Sequence, residues 1–143
     1  MHLLNVATVF LVLSLVSVEF SVAAFVDPAA WRLDPEPQLK LLSRLASVLG
    51  RVMPVWYPVS AFLLGVQTWL YWHTSGRVIL LTATAIWLLA SLGSIVLLVP
   101  LNTRVAKCDA DWQRIHRIWD KRHRVRTAAL AIAAVLFTYV VVR

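Results

Sequence analysis

Four apolar runs, each near the length that crosses a lipid bilayer, constrain this chain more than any other feature. They cover about 3–26, 55–73, 78–99 and 127–142. A membrane-crossing helix needs roughly 20 mostly apolar residues, since each adds about 1.5 Å toward a hydrocarbon layer of about 30 Å. The fourth run is short alone and lengthens by continuing a polar helix that precedes it, about 104–126. Composition agrees: of 143 residues, 60% are hydrophobic and 15% charged, against about 45–50% and about 25% in soluble domains. A core of this size cannot hide so much apolar surface. The expectation is an all-α, integral membrane four-helix bundle, one domain over 1–143. An amphipathic helix lies between spans 1 and 2, and helix 4 carries a cytoplasmic extension.

The first run reads as a retained span. Val22-Ala23-Ala24 resembles a signal-peptide cleavage site, but no Lys or Arg precedes the run, and Glu19 interrupts it. Four spans place both termini on one side. The connection 27–53 carries Arg32, Lys40, Arg44 and Arg51. The connection 100–126 carries Arg104, Lys107, Arg114, Arg117, Lys121, Arg122, Arg124 and Arg126. Only Arg77 and Arg143 of the 14 basic residues fall on the terminal side. By the positive-inside rule both long loops are cytoplasmic, both termini are outside, and the expected location is the plasma (inner) membrane. The same rule explains the net charge of +7 without nucleic acid. One cysteine, Cys108, excludes an intrachain disulfide and thiolate-cluster chemistry.

Asp27-Pro28 and Asp34-Pro35 read as caps or turns. Then Leu39, Leu42, Ala46, Leu49 and Met53 recur at helical spacing opposite Lys40, Arg44, Ser47 and Arg51. This amphipathic helix lies at headgroups or on the bundle. Pro54 and Pro58 are expected to break or kink the way into the second span.

Polar residues inside apolar runs point to chemistry. Glu19 is the only acid within a span; placed there ionised and unpaired it costs about 2.5–3.5 kcal/mol. Trp112, His116, Trp119, His123 and Arg126 step by four and three along one helical face. His123 and Arg126 fall where helix 4 meets the bilayer, on the side where Glu19 nears its exit. Asn102 follows the third span there, and Trp56 and Tyr57 open the second. Glu19, Asn102, His123 and Arg126 are therefore expected to converge on an inner-leaflet pocket, flanked by Trp56, Tyr57 and Trp119. The alternative is an ion-pair network tethering the first span to the fourth. Gln67, mid-span on helix 2, lines a cavity or bonds a neighbouring helix. Thr84, Trp87, Ser91 and Ser94 form a packing stripe on span three. Trp69, Tyr71, Trp72 and His73 form an outer aromatic girdle. His116 and His123 stand about 10 Å apart, too far to grip one ion together. Glu19 with His123 supplies two metal ligands, short of the usual three or four.

Pro100-Leu101-Asn102-x-Arg104, then Trp112 and Trp119, then His123-x-x-Arg126-Thr127 resembles a motif series of the anthrone-oxygenase-like family of small four-span membrane proteins. Glu19-Phe20 before Asp27-Pro28-Ala29, and Arg51-Val52-Met53-Pro54, resemble it too. Many members carry Asn where this chain has His123. Most have no known function; the characterised branch oxidises anthrones with O₂. The resemblance implies an oxygenase-like membrane enzyme with a small apolar aromatic substrate. O₂ is then the co-substrate, with no obligatory cofactor or with a single metal ion. His123 or Glu19 would act as general base, with Arg126 and Asn102 stabilising an enolate and Trp56 and Trp119 stacking on the rings. Tyr57 and Gln67 complete the expected substrate-binding set. Two rivals share the pattern: a proton-coupled exporter using Glu19, and a non-catalytic assembly partner docking through Arg114, Arg117, Lys121 and Arg124. A homo-oligomer is compatible with all three.

Overall fold

The structure, a computed structural model, describes residues 2–142. Arg143, counted above on the terminal side, lies outside the described residues. Helix α1 (His2–Ser21) runs into a π-helical turn, Val22–Val26, and then into the short α2 (Asp27–Ala30). Asp27 is not the turn its Asp-Pro pair predicts. Its φ of −63° and ψ of −47° are helical, and its N–H reaches back five residues to the Val22 carbonyl. The wide turn explains how the helix survives Pro28. A proline ring clashes with the carbonyl four residues back, and here that carbonyl, of Ala24, lies in the loosened π segment.

Helix α3 (Pro35–Leu70) starts as the sequence predicts. Asp34 is extended at ψ 155° and Pro35 takes the first helical position. It then continues for 36 residues, through Pro54 and Pro58. The amphipathic helix and the second span are thus one element, and the expected break is absent. The prolines are four apart, so the donor missing at Pro58 would have met the Pro54 carbonyl. Both losses fall on one exposed face, and the rest of the ladder holds.

After a turn come α4 (Arg77–Leu97), α5 (Val99–Ala106) and α6 (Trp112–Val141). The helical extension expected from 104 begins only at Trp112. Between α5 and α6, Cys108 takes the left-handed φ of 56°. Asp109 pins the turn: its Oδ2 accepts from Arg104 Nε at 2.9 Å and its Oδ1 from the Asp111 N–H at 2.9 Å. From Trp112 onward α6 is continuous, as its four-and-three pattern predicts.

Four segments, His2–Ala30, Pro35–Leu70, Arg77–Leu97 and Trp112–Val141, are long and apolar enough to cross a membrane. Side-chain contacts give their order. Asn5 Nδ2 donates to Tyr71 Oη at 2.8 Å and to the Val141 carbonyl at 3.3 Å. Further along, Glu19 meets Tyr57 and His123, and Asp27 meets His116. Rising numbers on α1 thus meet falling numbers on α3 and α6, which makes both antiparallel to α1. Thr68 and Thr84 share a 2.8 Å hydrogen bond between α3 and α4, and Arg126 reaches Ser94 between α6 and α4. The apolar middle is filled by Val12, Leu15, Leu64, Leu80, Trp87, Leu130 and Phe137. Near the basic end, Leu42 and Ala46 of α3 pack with Val105, Trp112 and Ile115. Lys40, Arg44, Ser47 and Arg51 stay exposed, which is the amphipathic division the sequence predicts.

Candidate functional site

Glu19 is 2% exposed and its carboxylate is enclosed by donors from two other helices. Tyr57 donates its hydroxyl to Oε1 at 2.7 Å. Arg126 Nη2 forms an ion pair with Oε2. His123 Nδ1 lies 3.1 Å from the same oxygen, and 2.9 Å from Arg126 Nη2. Its other nitrogen, Nε2, lies 3.1 Å from the Glu19 backbone carbonyl. Assigned as the neutral Nε2–H tautomer, the ring donates to the carbonyl and accepts from the guanidinium at Nδ1, and Arg126 Nη2 bridges Nδ1 and Oε2. Arg126 also donates from Nη1 to Ser94 Oγ at 3.3 Å, and its carbon lies 5.5 Å over the Tyr57 ring. Its Nε is buried with no partner. Burying a carboxylate and a guanidinium is tolerable because they face each other and hydrogen bonds occupy the remaining lone pairs.

A stack of rings leads away from this cluster. His123 lies on Trp119 at 4.5 Å between centroids, Trp119 on His116 at 5.5 Å, and His116 near Trp31 at 5.4 Å. At the far end is a second acid–imidazole contact. Asp27, wholly buried, has Oδ1 3.3 Å from His116 Nε2. That separation is an ion-pair distance, yet the atoms are off-line for hydrogen bonding. Both Asp27 oxygens and His116 Nε2 have no hydrogen-bond partner.

The spacing of the two contacts depends on the π turn. His116 and His123 are seven residues apart on α6, close to two turns. Glu19 and Asp27 are eight apart, which in a regular α-helix leaves them about 80° out of line. A π turn absorbs one residue and reduces the offset to about 20°. Sequence reading missed Asp27 because Asp-Pro resembles a cap; the eight-residue step from Glu19 beside the seven-residue step of the imidazoles was the signal.

Of the expected site residues, Glu19, His123, Arg126 and Tyr57 come together, with Trp119 stacked behind His123. Asn102 does not join them: its Nδ2 donates to the Ala46 carbonyl at 3.0 Å. Its amide instead ties α5 to the backbone of α3. It borders a small cavity of about 10 Å³ with Leu49, His116 and Trp119, room for no more than one water. Gln67 lies toward the terminal end, where its Nε2 is 3.4 Å from Thr8 Oγ1. Eleven residues of helix separate Thr8 from Glu19, about 16 Å. Trp56 is half-buried against the apolar middle, its indole N–H unpartnered. Ser94, buried on the packing stripe, also accepts from Arg126.

A groove of about 500 Å³ lies between α4 and α6. Ile86, Leu89, Ala90 and Gly93 form one wall, and Val125 and Ala129 the other. Ser94 and Arg126 are at its floor, with Lys121 and Arg122 at one end. Arg126 therefore faces the groove while holding Glu19. No group of three or more His, Cys, Asp or Glu side chains able to hold a metal ion occurs among the described residues.

Long apolar helices thus surround a buried Glu–His–Arg–Tyr cluster beside a mostly apolar groove. Comparison with family models, curated proteins and solved structures gives no match.

Proposed function

We propose that the chain is an integral membrane four-helix bundle that acts as an oxygenase-like enzyme on a small, apolar, phenolic aromatic such as an anthrone. The observation that carries this reading is the double engagement of Arg126. It binds Glu19 and His123 on one side and lines the α4–α6 groove on the other. A flat apolar substrate dissolved in the bilayer has a lateral path to Arg126, the group that covers the buried His123.

The hydrogen bonds support the following chemistry. The carbonyl oxygen of an approaching substrate competes for the Arg126 guanidinium and draws it from His123 Nδ1. That nitrogen then has a free lone pair and removes a C–H proton, while Nε2–H on the Glu19 carbonyl fixes the ring. Arg126 stabilises the enolate oxygen. Glu19 positions Arg126, and Tyr57 positions Glu19. The carbanion's electron pair forms a C–O bond to O₂, and the peroxide takes a proton. Loss of the second C–H proton with hydroxide leaves the ketone and one water. A CH₂ group plus O₂ thus gives C=O plus H₂O, with carbon oxidised by four electrons and oxygen reduced by four.

The exporter reading requires Glu19 to exchange protons with water and substrate. Its enclosure by Tyr57, His123 and Arg126 favours the enzyme. The bias of basic residues toward the two long loops supports a cytoplasmic location for them, with the termini outside, in the plasma membrane.

Oxygen uptake by the purified protein with a hydroxyanthrone tests the reading, alongside metal analysis and a UV–visible spectrum of the same sample. His123→Ala, Glu19→Gln and Arg126→Ala should each lower turnover by 10²-fold or more. Unchanged turnover in all three sinks it.

A further inference from the structure

The α4–α6 groove has a charge pattern that the oxygenation chemistry does not use. Its walls are apolar over Ile86–Leu97, eleven steps of helix or about 16 Å. Besides Arg126 at the floor, which is engaged by Glu19, its cations are Lys121 and Arg122 at one end, both exposed. Arg122 is held in place there: its Nη1 donates at 2.9 Å to the carbonyl of Leu97, the last residue of α4. The bond fixes the guanidinium at this end of the groove and uses one of its five N–H donors. Gly93 provides the width, since a side-chain carbon built there meets nothing within 4 Å. With the chain in a bilayer, this end lies at the cytoplasmic headgroups, where paired basic residues between helices attract anionic lipid.

We infer that the groove is a binding site for an anionic phospholipid, its phosphate between Lys121 and Arg122 and one acyl chain along the Ile86–Leu97 wall. Charge complementarity and apolar length select that occupant. A zwitterionic lipid lacks the net charge, and free phosphate lacks the chain. The inference rests on the membrane-spanning reading and is separable from oxygenation. The phosphate lies away from His123, and an apolar substrate reaches Arg126 by displacing the acyl chain.

Native mass spectrometry of detergent-purified protein tests it, after exchange into equal amounts of phosphatidylglycerol and phosphatidylcholine with identical chains. The wild-type chain should retain phosphatidylglycerol at least about tenfold over phosphatidylcholine, as expected for two basic contacts. Lys121→Ala/Arg122→Ala should abolish the preference, and Lys121→Arg/Arg122→Lys should restore it. Arg114→Ala/Arg117→Ala, basic residues on α6 outside the groove, should leave it within twofold. Gly93→Leu, which fills the groove, should lose both lipids. Equal retention of the two lipids overturns the inference. So does an equal loss in the Arg114/Arg117 variant, which assigns binding to the whole basic face. Phosphatidylglycerol retained by Gly93→Leu, or displaced by millimolar inorganic phosphate, also overturns it. Loss of lipid preference with oxygen uptake intact, or the reverse, distinguishes failure of this inference from failure of the enzymatic reading.

Discussion

His123 meets Glu19 twice. Its Nε2 lies 3.1 Å from the Glu19 carbonyl oxygen and its Nδ1 lies 3.1 Å from carboxylate Oε2. The same ring is therefore fixed to the backbone of α1 and placed against its only buried glutamate. Arg126 completes the arrangement by touching both partners.

The ion pair is expected to behave as a unit. Arg126→Leu strands a buried carboxylate and should cost about 3–5 kcal/mol. Replacing both partners by neutral groups, Glu19→Gln with Arg126→Leu, should cost far less than the two single losses combined. Unfolding in mixed micelles reads the cycle; additive losses would show that the pair is not coupled.

Tyr57→Phe removes one hydrogen bond to a charged acceptor without disturbing shape. The expected loss is about 1.5–3 kcal/mol. Arg126 still holds the carboxylate, so turnover should fall less in this variant than in Arg126→Ala. An equal fall would make Tyr57 a catalytic group.

Cys108 is exposed and is the chain's only cysteine. With loop 100–126 in the cytoplasm, a membrane-impermeant maleimide should leave it unlabelled in intact cells and label it in inverted vesicles. Labelling of intact cells reverses the proposed orientation. Cys108→Gly should also raise stability, by up to about 1–2 kcal/mol, since its φ of 56° costs a side-chain-bearing residue strain that glycine avoids.

The Asp109 carboxyl is held below its ordinary value of 3.8, first by the Arg104 hydrogen bond and then by the Asp111 N–H. A depressed folded value means that the turn's stabilisation is present above pH 3.8 and is lost as pH falls through the lower folded value. The Asp111 amide NMR shift should titrate with a midpoint below 3.8. Asp109→Asn should abolish that step; a midpoint at or above the ordinary value counts against the account.

Gly76 and Gly65 should respond differently to alanine. A side-chain carbon at Gly76 collides with Val140 Cγ1, whose β-branched chain cannot swing clear. The expected cost is about 1–3 kcal/mol. At Gly65 nothing lies within 4 Å, and helix propensity alone makes Gly65→Ala neutral or stabilising. Thermal unfolding of the two variants separates them.

Apolar length made the four long helices legible, because hydrophobic runs need no tertiary information. The four-and-three step of Trp112, His116, Trp119, His123 and Arg126 likewise placed one face of α6. Local signals failed where neighbouring structure overruled them. Asp27-Pro28 reads as a turn only if the preceding helix is regular, and the π turn at Val22–Val26 removes that premise. Pro54 and Pro58 read as a break only if their lost bonds fall on separate faces. Asn102 was grouped with Glu19 because both lie near the basic end. Depth along a helix does not fix azimuth, and α5 directs its amide to Ala46.

The π turn works as a vernier. Two helices are ruled with different scales, eight residues against seven, and their marks coincide at Glu19 with His123 and at Asp27 with His116. Adding one residue within 22–26 would shift one scale against the other, whereas removing one leaves a regular helix with the acids seven apart and still in phase. The contact N-terminal to the added residue could stay in phase while the other is thrown out. The two acid–imidazole pairs can thus be uncoupled by a change of length alone, with all four side chains left as they are.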